Sequence, residues 1–203
     1  MRKLLKTVGI LALLGVAVYM SSIVRDKNQL SDEILRLHVV ANSDSAEDQA
    51  VKLKVRDAVL CAMEDVTAAA QTKDEAQTVL KERLPELEFA ANAVLDAEGI
   101  KDRAKVTLTQ EEFPIRVYDT FALPAGVYDS LRVTIGTGEG HNWWCVVFPS
   151  LCVPAASDGV KDTAASAGFS DSLSGAITEE PGYEVRFFLL DCLGRLENFF
   201  RKG

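Results

Sequence analysis

The stretch Gly136-Thr-Gly-Glu-Gly-His-Asn-Trp-Trp-Cys-Val-Val-Phe-Pro-Ser-Leu-Cys152 decides how the rest of the chain is read. Glycines at 136, 138 and 140 frame a loop whose backbone can take positive φ, and the loop delivers His141, Asn142, Trp143 and Trp144 to one place. From Trp143 to Phe148 every residue is apolar, the pattern of a strand buried on both faces. Adjacent tryptophans in a strand face opposite sides of the sheet. One enters the core; the other projects beside the glycine loop, as an aromatic anchor for a partner or under a covering element.

Working outward, Leu131-Arg-Val-Thr-Ile135 alternates and leads into the loop. Before it come the turn Leu123-Pro-Ala-Gly126, Ile115 and Val117 after a break at Pro114, and the alternation of Ala104, Val106 and Leu108 with Lys105, Thr107 and Thr109. Near the start, Leu35, Leu37, Val39 and Ala41 share one face of a strand, with Arg36, His38 and Val40 on the other. The polar turn Asn42-Ser-Asp-Ser45 opens a helix, Ser45 and Asp48 resembling a capping box. Along it Val51, Val55, Ala58, Ala62 and Val66 keep helical spacing, and Asp48, Lys52 and Arg56 read as a solvated stripe. Thr72 and Glu75 cap a second helix ending before Pro85; a third carries Leu87, Ala91, Val94 and Leu95 inward and stops at Gly99. One strand, three helices and a run of strands predict an α+β fold, a largely antiparallel sheet with helices packed on it.

The ends differ from this domain. Arg2, Lys3 and Lys6 precede an uncharged run from Thr7 to Val24, so residues 1–24 read as a signal peptide or membrane anchor, followed by a polar tether over 25–34. A single extracytoplasmic domain then covers 35–203. Within it, Ala, Ser, Asp and Gly supply 18 of the 29 positions from 154 to 182, which marks a low-complexity, solvated insertion. Tyr183-Glu-Val-Arg-Phe187 alternates as a strand, and Leu189, Leu193, Leu196 and Phe200 make the stripe of a closing helix.

The chain carries a net charge of −8, and without its three basic N-terminal residues the exported part stands at −11, which argues against nucleic acid or anionic lipid as a ligand. Four cysteines in an exported chain allow two disulfides. Cys145 and Cys152 are close enough to pair across a turn at Pro149, leaving Cys61 and Cys192 as a second pair or as free core thiols; buried free cysteines throughout are the alternative.

An enzyme must be assembled from two histidines, neither in a metal motif. His38, His141 and Asp44 would have to converge around a metal, or Cys145 would act as nucleophile with a histidine and Asn142, although an apolar run raises a thiol's pKa. The turn at 42–45 could cradle an anion, but Asp44, Glu47 and Asp48 already place negative charge there. No phosphate loop, nucleotide fingerprint or paired-carboxylate motif is present. The residues therefore assign no catalytic group, metal or cofactor.

Two long segments in register, Leu35 to Val59 and Gly138 to Cys152, with Pro124-Ala-Gly-Val-Tyr128 between them, strongly resemble the stage II sporulation protein R family. Ser150 stands where that family usually has a second proline, and the 154–182 insertion has no counterpart in it. The resemblance implies a signalling protein exported from the forespore into the space between its membrane and that of the mother cell. There it would activate a membrane-embedded aspartic protease that processes a pro-sigma factor. Its partner-binding surface is expected at Gly138, Gly140, His141, Asn142, Trp143 and Trp144, with Asn42 and Asp44. The alternatives are an exported metal- or thiol-dependent hydrolase acting on the cell envelope and a structural envelope protein.

Overall fold

The computed structural model describes residues 2–114, 116–117, 122–149, 192 and 195, with the side chains of some N-terminal residues and of Val117 and Ala122 excepted. Four strands form the main sheet: β1 (Leu35–Val40), β2 (Ala104–Phe113), β5 (Gly126–Ile135) and β6 (Asn142–Phe148), in the order β2-β5-β1-β6. β1 runs parallel to β5 and antiparallel to β6, and β2 runs antiparallel to β5, so the sheet is mostly antiparallel as the sequence implies. A separate two-stranded ladder joins β3 (Arg116–Val117) to β4 (Ala122–Leu123).

Three helices fill the long connection from β1 to β2: α2 (Ala46–Ala69), α3 (Lys73–Glu82) and α4 (Leu84–Ala97). Their ends follow the expected signals. Ser45 Oγ accepts the Asp48 N–H at 3.1 Å and Thr72 Oγ1 accepts that of Glu75 at 3.2 Å, while Glu75 reaches back to the N–H of Gln71 at 2.9 Å. α4 has Pro85 in its first turn and closes at Gly99, where φ is 72° and Ile100 N–H donates to Leu95 O at 2.9 Å.

The core lies between these helices and one face of the sheet. Leu37 and Val39 of β1, Leu131 and Val133 of β5 and Val147 of β6 meet Val55, Val59 and Met63 of α2 and Leu87 and Leu95 of α4. The buried stripe of α2 is rotated from the expected one, with Val59 and Met63 inward and Ala58 and Ala62 half-buried, because larger side chains fill the space above the sheet. That rotation overturns the solvated stripe. Lys52 is buried, Arg56 lies against a tryptophan and Asp48 is half-buried against the preceding turn.

Every residue of β1 is buried, so the face carrying Arg36 and His38 is covered as well. Upstream, α1 (Arg2–Glu33) continues through the expected tether at 25–34 almost into β1. Its last turn is fastened to the sheet: Ser31 Oγ donates to Val127 O at 2.5 Å, and the buried Lys73 ammonium donates to Ser31 O at 3.3 Å and Asp129 Oδ2 at 2.6 Å. Among the described residues no helix is long and apolar enough to cross a membrane. The insertion at 154–182, the strand at 183–187 and the closing stripe through Phe200 lie outside the described residues.

Candidate functional site

The turn after β1 and the loop between β5 and β6 form one unit. Asn42 is its hub: its Oδ1 accepts the Thr137 N–H at 3.0 Å and its main-chain O accepts that of Glu139 at 3.2 Å. Gly140 N–H donates to Ala41 O at 2.9 Å. Gly136 has φ 57°, and a Cβ there would sit 2.2 Å from Asn42 Oδ1, so the crossing needs glycine on both counts. Gly138 N–H closes the turn onto Ile135 O at 3.0 Å.

From the other side, α2 holds the assembly in place. Lys52 Nζ donates to His141 O at 3.0 Å and Gln49 Oε1 at 2.5 Å; Gln49 Nε2 donates to Ser43 O at 2.8 Å. Ser43 Oγ donates to Asp48 Oδ2 at 2.5 Å. Asp44 accepts the His141 main-chain N–H at 2.6 Å and also meets its Nδ1. His141 and Asp44 remain outward, with side chains 78% and 56% exposed. The His141 imidazole bonded to it holds the Asp44 carboxyl below its ordinary range. Burial pushes the Lys52 ammonium down.

Asn142 links this exposed unit to a buried one on the far face of the sheet. His38 Nε2 lies 2.8 Å from Asn142 Oδ1, and Nδ1 lies 3.0 Å from Glu111 Oε2. Arg132 pairs with the other carboxylate oxygen of Glu111. Burial pushes Glu111 up, but the hydrogen bond and charge of His38, with Arg132 beside it, bring the carboxyl below its ordinary range. Trp144 stacks on His38 at 4.0 Å between ring centroids and 10° between planes, with Phe113 against its edge and the Arg116 guanidinium 5.3 Å from its ring centre.

The tryptophans do face opposite ways, and each packs against a neighbour. Trp143 packs on the core side beneath the Arg56 guanidinium, 4.2 Å from the ring centre, and Trp144 closes over His38; both are half-buried. The fully exposed part of the segment is His141 and Asn142, with the two tryptophans half-buried beside them. Asn42, Asp44, Gly138, Gly140, His141 and Asn142 come together, and Trp144 supports them through His38.

Cys145 is opposite Leu37, and His38 is opposite Trp144, so thiol and imidazole leave opposite faces of the sheet. The pairing of Cys145 with Cys152 involves a residue outside the described ones. Cys61 and Cys192 are free and exposed, where core thiols or a second pair were expected. Among the described residues no group of three His, Cys, Asp or Glu side chains could hold a metal ion. Both His38 ring nitrogens are engaged. The arrangement is a firmly held, outward-facing pair of turns backed by a buried polar cluster.

Lys52 reads from the sequence only as part of a solvated stripe, and Gln49, Glu111 and Arg132 carry no site signal there. Arg132 stands between two core residues of an alternating strand, a signal that it shares the face of Arg36 and His38 only once β1 and β5 are known to be neighbours.

Comparison with known proteins agrees with the segments that build this unit. The family described as stage II sporulation protein R (spore_II_R) matches residues 31–158, which include both turns and all of the main sheet. The chain is 32% identical over 189 residues to "Stage II sporulation protein R" of Bacillus subtilis (strain 168), covering 82% of this chain and 83% of the relative. No solved structure matches. A match that runs through β1, the three helices and the glycine loop in one register leaves a single assignment: the chain belongs to the stage II sporulation protein R family.

Proposed function

We propose that this chain is an exported intercompartmental signal of endospore formation, which activates a membrane-embedded aspartic protease of the mother cell and so leads to pro-sigma factor processing. Family membership across residues 31–158 is the observation that carries the reading. The uncharged run from Thr7 to Val24 supports export, and the joined turns at 42–48 and 136–142 are a suitable contact surface. The chain works as a ligand. It favours the active arrangement of the protease through higher affinity for that arrangement, with no turnover of its own. Outward side chains of Asp44 and His141 supply the contacts, while His38, Trp144 and Asn142 keep them in position.

Reconstitution tests this. Purified chain is added to vesicles carrying the sporulation protease and its pro-sigma substrate, with the receptor's extracytoplasmic side accessible. Cleavage should require the chain, saturate with its occupancy, and fall by about tenfold or more with Asp44→Ala together with His141→Ala, both exposed and so compatible with folding. Absence of cleavage with a protease shown to be competent would overturn the proposal.

A further inference from the structure

Among the described residues the outer rim of β2 is closed along one half and open along the other. Ala104 N–H donates to Asn92 Oδ1 and its carbonyl accepts from Asn92 Nδ2, both at 3.0 Å, so the Asn92 amide stands in for a peptide group of a neighbouring strand. Val106 N–H donates to Glu88 Oε2 at 3.0 Å. β2 pairs with β5 without a slip from Ala104 to Phe113. Main-chain groups facing the rim therefore recur with period two, at 104 and 106 and then at Leu108 and Gln110. No described side chain covers these last two positions; they border a groove of about 610 Å³ between β2 and α3.

The groove has chemistry as well as space. Leu84 and Leu108 give it an apolar floor, and Asp74, Thr78 and Lys81 line it from one side of α3. Asp74 and Lys81 stand about 10 Å apart along the helix axis, close to the span of three or four extended residues. On the strand side the carboxylate at the Asp74 end, Asp129, is already paired with Lys73.

We propose that this groove receives an extended segment of a partner protein, which adds a strand to the sheet at Leu108 and Gln110. On its groove-facing side the segment carries a basic residue for Asp74, an apolar residue for the Leu84–Leu108 floor and an acidic residue for Lys81, at alternate positions. The site lies on the opposite edge of the sheet from β6, so it adds a second contact surface to the joined turns.

Amide exchange read by NMR on the full chain tests it. In the free chain the amides of Leu108 and Gln110 should exchange quickly, while those of Thr107 and Thr109, which face β5, are protected. The probes are two acetylated, amidated pentapeptides, Arg-Thr-Val-Thr-Glu and Glu-Thr-Val-Thr-Arg, since parallel and antiparallel addition exchange the two ends. One of them, at about 5 mM, should slow Leu108 and Gln110 by about tenfold, and N-methylation of its backbone should abolish the effect. Gln110→Pro deletes a rim N–H without touching the ladder to β5, so the folded variant should show no slowing at Leu108. Protection of Leu108 and Gln110 already present without peptide would overturn the proposal, whether from this chain or from a second copy. So would two inert pentapeptides, or undiminished slowing in folded Gln110→Pro.

Discussion

Replacing Gly140 by alanine tests the idea that the two turns are locked by contact between backbones. An added Cβ would lie 2.2 Å from Ser43 O, 2.6 Å from Ser43 C and 2.9 Å from the Ala41 Cβ, where ordinary contact begins at 3.4 Å. The nearest atoms belong to a backbone that Gln49 holds through Ser43 O at 2.8 Å, so it cannot yield as a side-chain tip would. Relief requires the turns to part by about 1 Å, which strains the Gly140 to Ala41 and Glu139 to Asn42 hydrogen bonds. Two weakened hydrogen bonds at about 1 kcal/mol each, with about 1 kcal/mol of overpacking, give a cost of about 3 kcal/mol. In a chain of this length that lowers Tm by about 6–12 °C.

Gly99→Ala is the internal reference. Nothing lies within 4 Å of its added Cβ and φ is 72°, so only backbone preference opposes it, at about 1 kcal/mol. Both variants are compared by urea and thermal unfolding. Gly140→Ala should be the less stable by about 2 kcal/mol, and its amide spectrum should shift at both turns. Equal stability of the two variants would refute the reasoning.

Three further outcomes are expected. Lys73→Met should cost about 3 kcal/mol in urea unfolding, because it leaves the carboxylate of Asp129, 14% exposed, without its partner; Lys73→Met with Asp129→Leu should recover much of that loss. The folded-state pKa of Glu111 lies below its ordinary 4.5, so its contribution to stability is full above that pH and fades as pH falls through the folded value. Glu111→Gln should accordingly flatten that acid limb in stability measured against pH. Under oxidising conditions, mass mapping should find Cys145 joined to Cys152, while Cys61 and Cys192 react with alkylating agents in the folded chain.

Much of this architecture is local and so was legible in the chain. Ser45, Thr72, Pro85 and Gly99 mark helix ends by side-chain and backbone chemistry acting within a few residues. The glycines at 136 and 140 announce close approach, and the structure supplies what they approach, Asn42 and Ser43. Charged groups were harder to place. Lys52 and Arg56 look solvated on a helical wheel, and become buried or stacked because Trp143 and the His141 carbonyl lie above them. Glu111 carries no signal of its own in the sequence, and is internal because His38 and Arg132 share its face. Trp144 reads equally as a projecting anchor or a covered aromatic until the same histidine is found beneath it. In each case the missing information is a partner separated by tens of residues.

The central position of β1 has a consequence for when the domain can close. Both of its neighbours arrive late: Leu37 lies against Leu131 on one side and Cys145 on the other. Roughly a hundred residues must be available before the first strand has anything to pair with, a high contact order for so small a sheet. Helices α2 to α4 can form early, but the surface that buries them waits for the end of the glycine loop. Such a chain stays open through most of its synthesis and closes only once β5 and β6 are both available.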